Sequence, residues 1–330
     1  FLKKILNIRR TVIFIMLQFD TGKWIISHPG KYDLSQSGMG GRINLEKYFK
    51  FSSMVDESVL KETIALLHNE DSENVIITHG ATEALFLTLY HLYVNGHRDY
   101  ITYKPEYEPL IKDPPALGMR EKEGDVFVFS NTNNPTGTEI EYPKNYRAYV
   151  VDDTFLQFYR NLDSVKYPEN TYRINTFTKF YGGDEVRVGW IVAPDKKEAA
   201  EINSLKGIFT EQVSRYNISV ANAILKDQDE ILRFVRNAMN KNLTYIKNNM
   251  GKLKFYRNLE PLTGTVTFID YSSYIERDPV SVSEYLYKNL ISLVPGTIFG
   301  VEGPYLRVCY SREDFTNSFE RFKDALNLIS

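Results

Sequence analysis

Residues 176–190 read TFTKFYGGDEVRVGW, in which Thr176 and Thr178 precede Lys179 and Arg187 follows it. A lysine amine can form a Schiff base with an aldehyde, and hydroxyls together with a bidentate arginine can hold a phosphate. This combination suits a pyridoxal phosphate site. Taken alone, a lysine after a strand is more often a solvated surface residue, so the interpretation depends on the rest of the chain.

Length, composition and charge limit the classes of protein to which this chain can belong. The chain has 330 residues, of which 43% are hydrophobic, and its formal charge is −2. It is long enough to bury a large core, and its balanced charge predicts neither nucleic acid nor a membrane as a partner. The single cysteine, Cys309, cannot form an internal disulfide, so we expect a reducing, cytoplasmic location.

The N-terminal segment superficially resembles an export signal, because Lys3, Lys4, Arg9 and Arg10 precede an apolar run over residues 11–17. This run is too short to span a bilayer, and no small-residue cleavage site follows it. We therefore expect an extended arm, an upstream start or added residues in this position rather than an export signal.

Strand-like runs alternate with helical patterns through the middle of the chain, which predicts an α/β fold with a mainly parallel sheet. An arm over residues 1–39 is expected to contribute to a small domain. A large α/β domain is predicted over 40–215 and a small α+β domain over 216–330. Ser53-Met54-Val55-Asp56 is typical of a capping box and predicts a helix that continues through Leu67.

Two segments that follow predicted strands carry polar groups. Gly80-Ala81-Thr82 lies between a strand and a helix, where free backbone amides can bind an anion, although a tight structural turn has the same pattern. Residues 131–137 read NTNNPTG, so Asn134 can donate a hydrogen bond to the phenolic oxygen of a pyridine ring. Asn-Pro turns are also common without any ligand.

Two further segments carry charges in apolar surroundings. Residues 150–155 read VVDDTF, and a carboxylate that ends a strand can pair with a pyridinium nitrogen, or one aspartate can cap the next element. Arg307 stands in the apolar strand pattern of residues 304–307, PYLR. It requires a carboxylate, supplied either by a substrate or by a structural ion pair.

The order of these segments, glycine turn, Asn-Pro-Thr-Gly, Asp, Lys, Arg and Arg, resembles the fold-type I pyridoxal phosphate enzymes of the class I and II aminotransferase family. The eight-position interval from Lys179 to Arg187 and the adjoining glycines match the lysine motif of that family. The resemblance extends from about Ser27 onward. It implies a mainly parallel sheet of the seven-stranded type between layers of helices, plus a small α+β domain.

The resemblance also implies roles for individual residues. Lys179 is the Schiff-base lysine and proton shuttle, Asp152 is the partner of the pyridine nitrogen, and Asn134 is the donor to the ring oxygen. Tyr107 stacks on the ring, unless it is a core tyrosine, and Arg307 binds the substrate carboxylate. The residues that hold the phosphate are Gly80, Ala81, Thr82, Thr176 and Arg187.

Tyr48 resembles the tyrosine that reaches the phosphate of a neighbouring subunit, which implies a homodimer. A phosphorylated substrate requires extra donors, for which we expect His28 in the substrate site and consider Lys31, Arg42 and Arg215. No residue pattern indicates a metal.

Two features depart from the family pattern. Phe155 stands where many members have a tyrosine, and together with Thr178-Lys179-Phe180-Tyr181 it resembles the threonine-phosphate decarboxylase branch, a close relative of histidinol-phosphate aminotransferases. The interval between Asn134 and Asp152 is also too short for a full crossover helix.

The leading interpretation is an aminotransferase of the histidinol-phosphate type that uses an amino donor and a keto-acid acceptor. A decarboxylase of the threonine-phosphate type and a cofactor-binding protein without turnover are the alternatives.

Overall fold

The computed structural model describes residues 18–50, 53–262 and 264–329, so the apolar run over 11–17 lies outside the described residues. Within the described residues, no helix combines the length and the apolar character that crossing a membrane requires.

The helices and strands are numbered in chain order. The helices are α1 Asp20–Ser27, α2 Glu57–His68, α3 Ala81–Val94, α4 Glu108–Ala116, α5 Lys196–Phe209, α6 Arg215–Lys226, α7 Gln228–Asn248, α8 Pro279–Lys288 and α9 Phe315–Ile329. The strands are β1 Tyr32–Asp33, β2 Val75–Thr78, β3 Asp99–Ile101, β4 Arg120–Glu121, β5 Val126–Ser130, β6 Ala148–Asp152, β7 Thr171–Thr176, β8 Gly189–Val192, β9 Lys254–Phe255, β10 Val266–Asp270, β11 Ile291–Ser292, β12 Val294–Pro295 and β13 Tyr305–Cys309.

Seven strands form the central sheet, in the order β2-β8-β7-β6-β5-β3-β4. Strand β8 runs antiparallel to both of its neighbours, and the other pairs are parallel. The predicted α/β class with a mainly parallel sheet is therefore confirmed. Buried aliphatic residues on both faces explain why these strands read as nearly continuous apolar runs.

Strand direction brings the predicted site residues to one edge of the sheet. Strands β2, β5, β6 and β7 run the same way, so their carboxyl ends share that edge, and the reversed β8 begins there. In the registers, Gly189 lies between Thr78 and Thr176, and Ser130 lies beside Asp152. Ligands of such sheets bind outside the carboxyl ends of the strands.

Helices cover most of the sheet. Helices α3 and α5 pack on one face together with residues such as Val128 and Ile191, whereas α2, α6 and α7 join the core on the other face around Trp190. Residues 131–147, between β5 and β6, contain no helix, as the short interval predicted.

The connection between β5 and β6 covers the sheet with aromatic side chains. Tyr142 packs edge-on against Phe129, with ring centroids 5.1 Å apart, and Tyr146 lies 5.3 Å from Phe127. Ile140 joins the same cluster. This aromatic cover stands where a crossover helix would otherwise lie.

A second sheet, in the order β12-β13-β10-β9, is antiparallel and carries Arg307 on β13. Strand β1 pairs in parallel with β11, so part of the predicted N-terminal arm contacts the C-terminal region. The domain boundaries at residues 39 and 215 stay predictions.

The predicted capping box is wrong. Helix α2 begins at Glu57 with Asp56 as its N-cap, and no side chain caps its first turn. The carboxylate of Asp56 instead pairs with Arg215 Nη2 at 3.0 Å. The Asp56 side chain thus contacts a distant residue and does not cap the helix, and the capping hydrogen bonds predicted for Ser53 are not formed.

Candidate active site

Lys179 lies in the turn that follows β7, at the sheet edge defined above. Its side chain borders a cavity of about 690 Å³, which Arg42, Asp184 and Arg312 also line. Its backbone carbonyl accepts a hydrogen bond from Met39 N at 2.9 Å. Its Nζ has no acceptor within the described part of the chain, so the amine is available to a ligand.

The surroundings of Lys179 favour a neutral amine. Burial lowers the pKa of this side chain, and the guanidinium of Arg307 lowers it further. Asp184, Cys309 and Asp152 oppose this effect, but the direction of the pKa shift remains downward. Because a neutral amine is the form that attacks an aldehyde carbon, the site suits covalent chemistry at Nζ.

Asp152 ends β6, and its Oδ1 accepts a hydrogen bond from Thr154 N at 3.0 Å. Burial raises the pKa of this carboxyl, whereas Thr154 and the charge of Lys179 lower it. Burial raises the pKa of the Tyr107 hydroxyl most, and the negative charge of Asp152 raises it further. Tyr107 is therefore close enough to Asp152 to be affected by its charge. A cationic ring nitrogen would offset the cost of keeping Asp152 ionised here.

Arg307 and Asn134 meet in the interior. Arg307 is 2% exposed, its Nη1 donates to Asn134 Oδ1 at 3.2 Å, and its Nη2 donates to the Ser35 carbonyl at 2.8 Å. No described carboxylate pairs with it, and its Nε has no hydrogen-bond partner among the described residues. A buried guanidinium without a counter-ion is unfavourable, so this position suits an anionic ligand group.

Four residues, which we call the Gly80 cluster, converge at the start of α3: Gly80, Thr176, Thr178 and Arg187. Gly80 has φ 89° and ψ 173°. A Cβ placed on it would lie 3.2 Å from Arg187 Nη2 and 3.9 Å from Thr176 Oγ1. The hydroxyls of Thr176 and Thr178 lie 3.2 Å apart. The cluster therefore combines the hydroxyl and guanidinium donors that suit a phosphate.

The N-terminus of α3 adds backbone donors to the Gly80 cluster. The helix begins at Ala81, continues into Thr82, and receives no side-chain hydrogen bond from its N-cap Gly80. Its partial positive charge favours an anion at this position. Gly189 makes the close approach of β8 possible, because a Cβ on it would lie only 2.5 Å from the backbone carbon of Gly80.

Two predicted site residues make their contacts elsewhere. The ring of His28 stacks on Trp24 and its Nε2 lies 3.2 Å from Glu284 Oε1, so we leave His28 out of the proposed site. The hydroxyl of Tyr48 donates to Asp227 Oδ2 at 2.8 Å within the same chain. Its predicted contact with a neighbouring subunit stays a prediction.

Phe155 belongs to the hydrophobic core. Its side chain is 5% exposed, and its ring centroid lies 6.1 Å from that of Phe158. This position therefore presents no hydroxyl that could assist Asn134.

Two groups near the site were missed by sequence reasoning. The Ser35 carbonyl accepts from Arg307 Nη2, and a backbone acceptor leaves no residue-type signal. Glu106 is fully buried between Pro105 and Tyr107 and accepts hydrogen bonds from Ser130 and Asn133. Its neighbours in the sequence include the charged Lys104 and Glu108, so no residue pattern signalled that it is buried.

A separate group of possible metal ligands consists of His91, Glu198 and Glu201. Nε2 of His91 lies 2.5 Å from Glu198 Oε2, and its Nδ1 lies 3.2 Å from Asn95 Nδ2. Both ring nitrogens are therefore engaged, and we interpret the group as a hydrogen-bonded contact between α3 and α5.

Comparisons with known proteins bear on the family and the fold of this chain. The family model described as "Aminotransferase class I and II" matches residues 107–322. Aspartate aminotransferase of Pyrococcus horikoshii is 23% identical, with 77% of this chain and 75% of the relative aligned. Histidinol-phosphate aminotransferase of Pelagibacter ubique is 31% identical, over 60% of this chain and 56% of the relative.

A solved structure supports the fold. YbdL from Escherichia coli, for which a methionine aminotransferase function is described, superposes with a TM-score of 0.78 at 16% identity, over 96% of this chain and 98% of that chain.

Since the family model matches well over half of the residues, this chain belongs to the class I and II aminotransferases. It is a pyridoxal-phosphate-dependent aminotransferase of fold type I, so the predicted family, enzyme class and cofactor are confirmed.

Proposed function

We propose that this aminotransferase acts on an amino acid or a phosphorylated amino-acid derivative, with histidinol phosphate as the leading substrate type. The observation that carries the proposal is Arg307, a buried guanidinium with one unpartnered nitrogen and no described counter-ion. A substrate carboxylate would supply the missing charge. In histidinol phosphate, a phosphate ester stands in place of that carboxylate and would meet the same guanidinium.

A second group of cations supports a substrate with an additional anionic group. Arg42 and Arg312 line the cavity that Lys179 borders. Burial lowers the pKa of Arg42, the charge of Glu313 raises it, and Arg312 lowers it further, so an anion between the two arginines would be favourable. Aspartate, the substrate in the name of one relative, carries such an additional group, whereas histidinol phosphate carries a single anionic group, its phosphate, which could lie here or at Arg307.

The residues divide the work of the reaction. Pyridoxal phosphate, when bound, supplies an electron-withdrawing ring that stabilises negative charge at the substrate Cα. Asp152 would pair with its ring nitrogen, and Asn134 would donate to its ring oxygen. The Gly80 cluster, with Ala81 and Thr82 at the start of α3, would hold its phosphate.

Lys179 and Arg307 would act on the substrate. Arg307 binds the anionic group and so orients the bonds at Cα, while Nζ of Lys179 removes and returns the Cα proton. The lowered pKa of Lys179 keeps this amine neutral at a lower pH than an exposed lysine would allow. The decarboxylase alternative differs only in which bond Arg307 presents, and the buried Phe155 is the feature that favours it.

A substrate screen tests these proposals. Purified protein loaded with pyridoxal phosphate is mixed with amino acids, histidinol phosphate and threonine phosphate, and both amino transfer to a keto acid and release of carbon dioxide are measured. Amino transfer from histidinol phosphate is the expected result. Carbon dioxide release without amino transfer would overturn it in favour of the decarboxylase, and no turnover would favour a binding protein.

Lys179 has its own test. Lys179→Ala is expected to abolish the visible absorbance of covalently attached cofactor, because no other residue supplies the amine in the proposed site. The control is Lys166→Ala, which removes an exposed lysine. Lys166→Ala should keep the absorbance, and if Lys179→Ala keeps it as well, the assignment of Lys179 is wrong.

We further propose that the enzyme is a cytoplasmic homodimer. The single cysteine is buried and forms no disulfide, which suits a reducing compartment. Light scattering tests the assembly. Tyr48→Phe then tests the shared site, because only a Tyr48 that leaves Asp227 and reaches a neighbouring subunit would change the cofactor affinity of that subunit.

A further inference from the structure

Glu106 is a buried carboxylate without a cation. It is 0% exposed, and no described lysine, arginine or histidine forms an ion pair with it. Its Oε2 accepts from Ser130 N at 2.9 Å and from Asn133 Nδ2 at 3.3 Å. Its Oε1 accepts from Tyr107 N at 2.6 Å and from the Ser130 hydroxyl. A buried carboxylate is tolerated only when donors surround it in this way.

These hydrogen bonds lead directly to Tyr107 and Asn134. The Ser130 hydroxyl that donates to Glu106 also accepts from Asn134 N at 2.9 Å. Glu106 is therefore hydrogen-bonded directly to the backbone of Tyr107 and, through the Ser130 hydroxyl, indirectly to the backbone of Asn134. The two segments are otherwise separated in the chain by strand β5 and the residues before it.

The network continues to Arg307. Asn134 Oδ1 accepts from Arg307 Nη1 at 3.2 Å. On a second route, Glu106 N donates to the Phe299 carbonyl at 3.1 Å, and the ring of Phe299 lies 5.2 Å from the guanidinium carbon of Arg307. Glu106 thus connects the residues proposed to contact the cofactor ring with the residue proposed to bind the substrate.

The carboxyl group of Glu106 lies at the same sheet edge as that of Asp152. Ser130, which donates twice to Glu106, lies beside Asp152 in the register of β5 and β6. Burial raises the pKa of Glu106 to about 8, donors from Ser130 and Tyr107 lower it, and the charge of Asp152 raises it. Burial of this carboxyl group is therefore unfavourable in free energy, and its hydrogen bonds offset only part of that cost.

We propose that Glu106 is a positioning residue that fixes the mutual arrangement of Tyr107 and Asn134 for cofactor binding. This inference rests on the proposed function of those two residues. Glutamine in place of Glu106 has the same shape, but its amide nitrogen would face donors from Tyr107 and Ser130 or from Ser130 and Asn133. In the first orientation the Ser130 hydroxyl can turn and accept, so the bond from Tyr107 N is lost. In the second, the bonds from Ser130 N and Asn133 Nδ2 are lost, and either loss weakens the link between the two segments.

The test compares three variants of the full-length protein, Glu106→Gln, Ser130→Ala and Glu198→Gln. Ser130→Ala removes the hydroxyl that joins Glu106 to Asn134 and keeps the backbone donor. Glu198→Gln is the matched control, because Glu198 accepts from Tyr172 and contacts His91 away from this network. Thermal stability, the dissociation constant of pyridoxal phosphate and the visible circular dichroism of the bound cofactor are measured for each.

We expect Glu106→Gln and Ser130→Ala each to weaken cofactor binding about tenfold and to change the circular dichroism. In the double variant, the loss of affinity should be clearly less than the product of the two single losses, because both act through one network. Glu198→Gln should lose stability without either change.

Two results would overturn the inference: unaltered affinity and circular dichroism in Glu106→Gln or in Ser130→Ala, or multiplicative losses in the double variant. A wild-type protein that binds no pyridoxal phosphate would instead refute the proposed function itself.

Discussion

Replacing Gly189 by alanine tests whether the contact between β8 and the Gly80 turn holds the proposed phosphate site together. An added Cβ would lie 2.5 Å from Gly80 C, 2.7 Å from its Cα and 2.8 Å from Ala81 N. The nearest of these atoms is about 0.9 Å inside ordinary van der Waals contact. All three are backbone atoms, so no side chain can rotate away to make room.

The magnitude follows from this geometry. Overpacking against a rigid neighbour costs about 1–3 kcal/mol, and here the strain acts on strands that pair at Thr78 and Thr176 on both sides of Gly189. To remove this steric clash, the backbone at the start of α3 must move away from the new Cβ by most of the overlap of about 0.9 Å. A displacement of that size misplaces backbone donors, so cofactor affinity should fall roughly tenfold or more in addition to the loss of stability.

The assay combines urea denaturation of the cofactor-free protein with titration of pyridoxal phosphate. Gly207→Ala is the matched control, since Gly207 lies inside α5 and a Cβ on it would meet nothing within 4 Å. That control should gain roughly 0.5–1 kcal/mol of stability and keep its affinity. If Gly189→Ala binds the cofactor as the wild type does, the start of α3 does not hold the phosphate as we reason.

Two further outcomes are expected at other positions. His68 is buried and accepts from Trp190 Nε1 at 2.9 Å, and burial followed by the charge of Arg173 holds its pKa well below 6.5. Below pH 6.5 the unfolded chain binds a proton at this histidine that the folded chain does not bind. The free energy of unfolding should therefore decrease as the pH is lowered, by up to about 1.4 kcal/mol per pH unit. His68→Gln should reduce that slope in denaturation measured from pH 5 to 7, and an identical slope would contradict the assignment. Arg307→Lys should raise KM for the preferred substrate roughly 10- to 100-fold in steady-state assays, because the fork that contacts Ser35 and Asn134 is lost; an unchanged KM would place substrate binding elsewhere.

Much of the site could be predicted because short motifs lie at strand ends. Gly80, Asp152 and Lys179 each follow an apolar run, and parallel strands bring such ends to one edge whatever the loops between them do. The helix-free connection between β5 and β6 was also predictable, since chain length alone excludes a helix there. These inferences need only local patterns and strand direction.

The rest depends on contacts between distant residues. The reversal of β8 leaves no compositional trace, because its residues are buried on both faces like those of its parallel neighbours. Tyr48 contacts Asp227, and His28 contacts Glu284; both partners lie far away in the sequence. Glu106 was overlooked because a glutamate is ordinarily solvated, and only the fold shows that backbone and hydroxyl donors surround it.

The aromatic cover over β5 and β6 has a consequence for how the site moves. Asp152 ends β6 and Asn134 lies in the connection that follows β5, and part of the outer face of these strands is shielded by side chains of that irregular connection, among them Tyr142 and Tyr146. Opening such a shield breaks a few ring contacts and melts no cooperative helix, so it is a local event with a small free energy. In hydrogen exchange, amides of the connection should therefore exchange well before those of α3, and the two sides of one cofactor site would differ in rigidity.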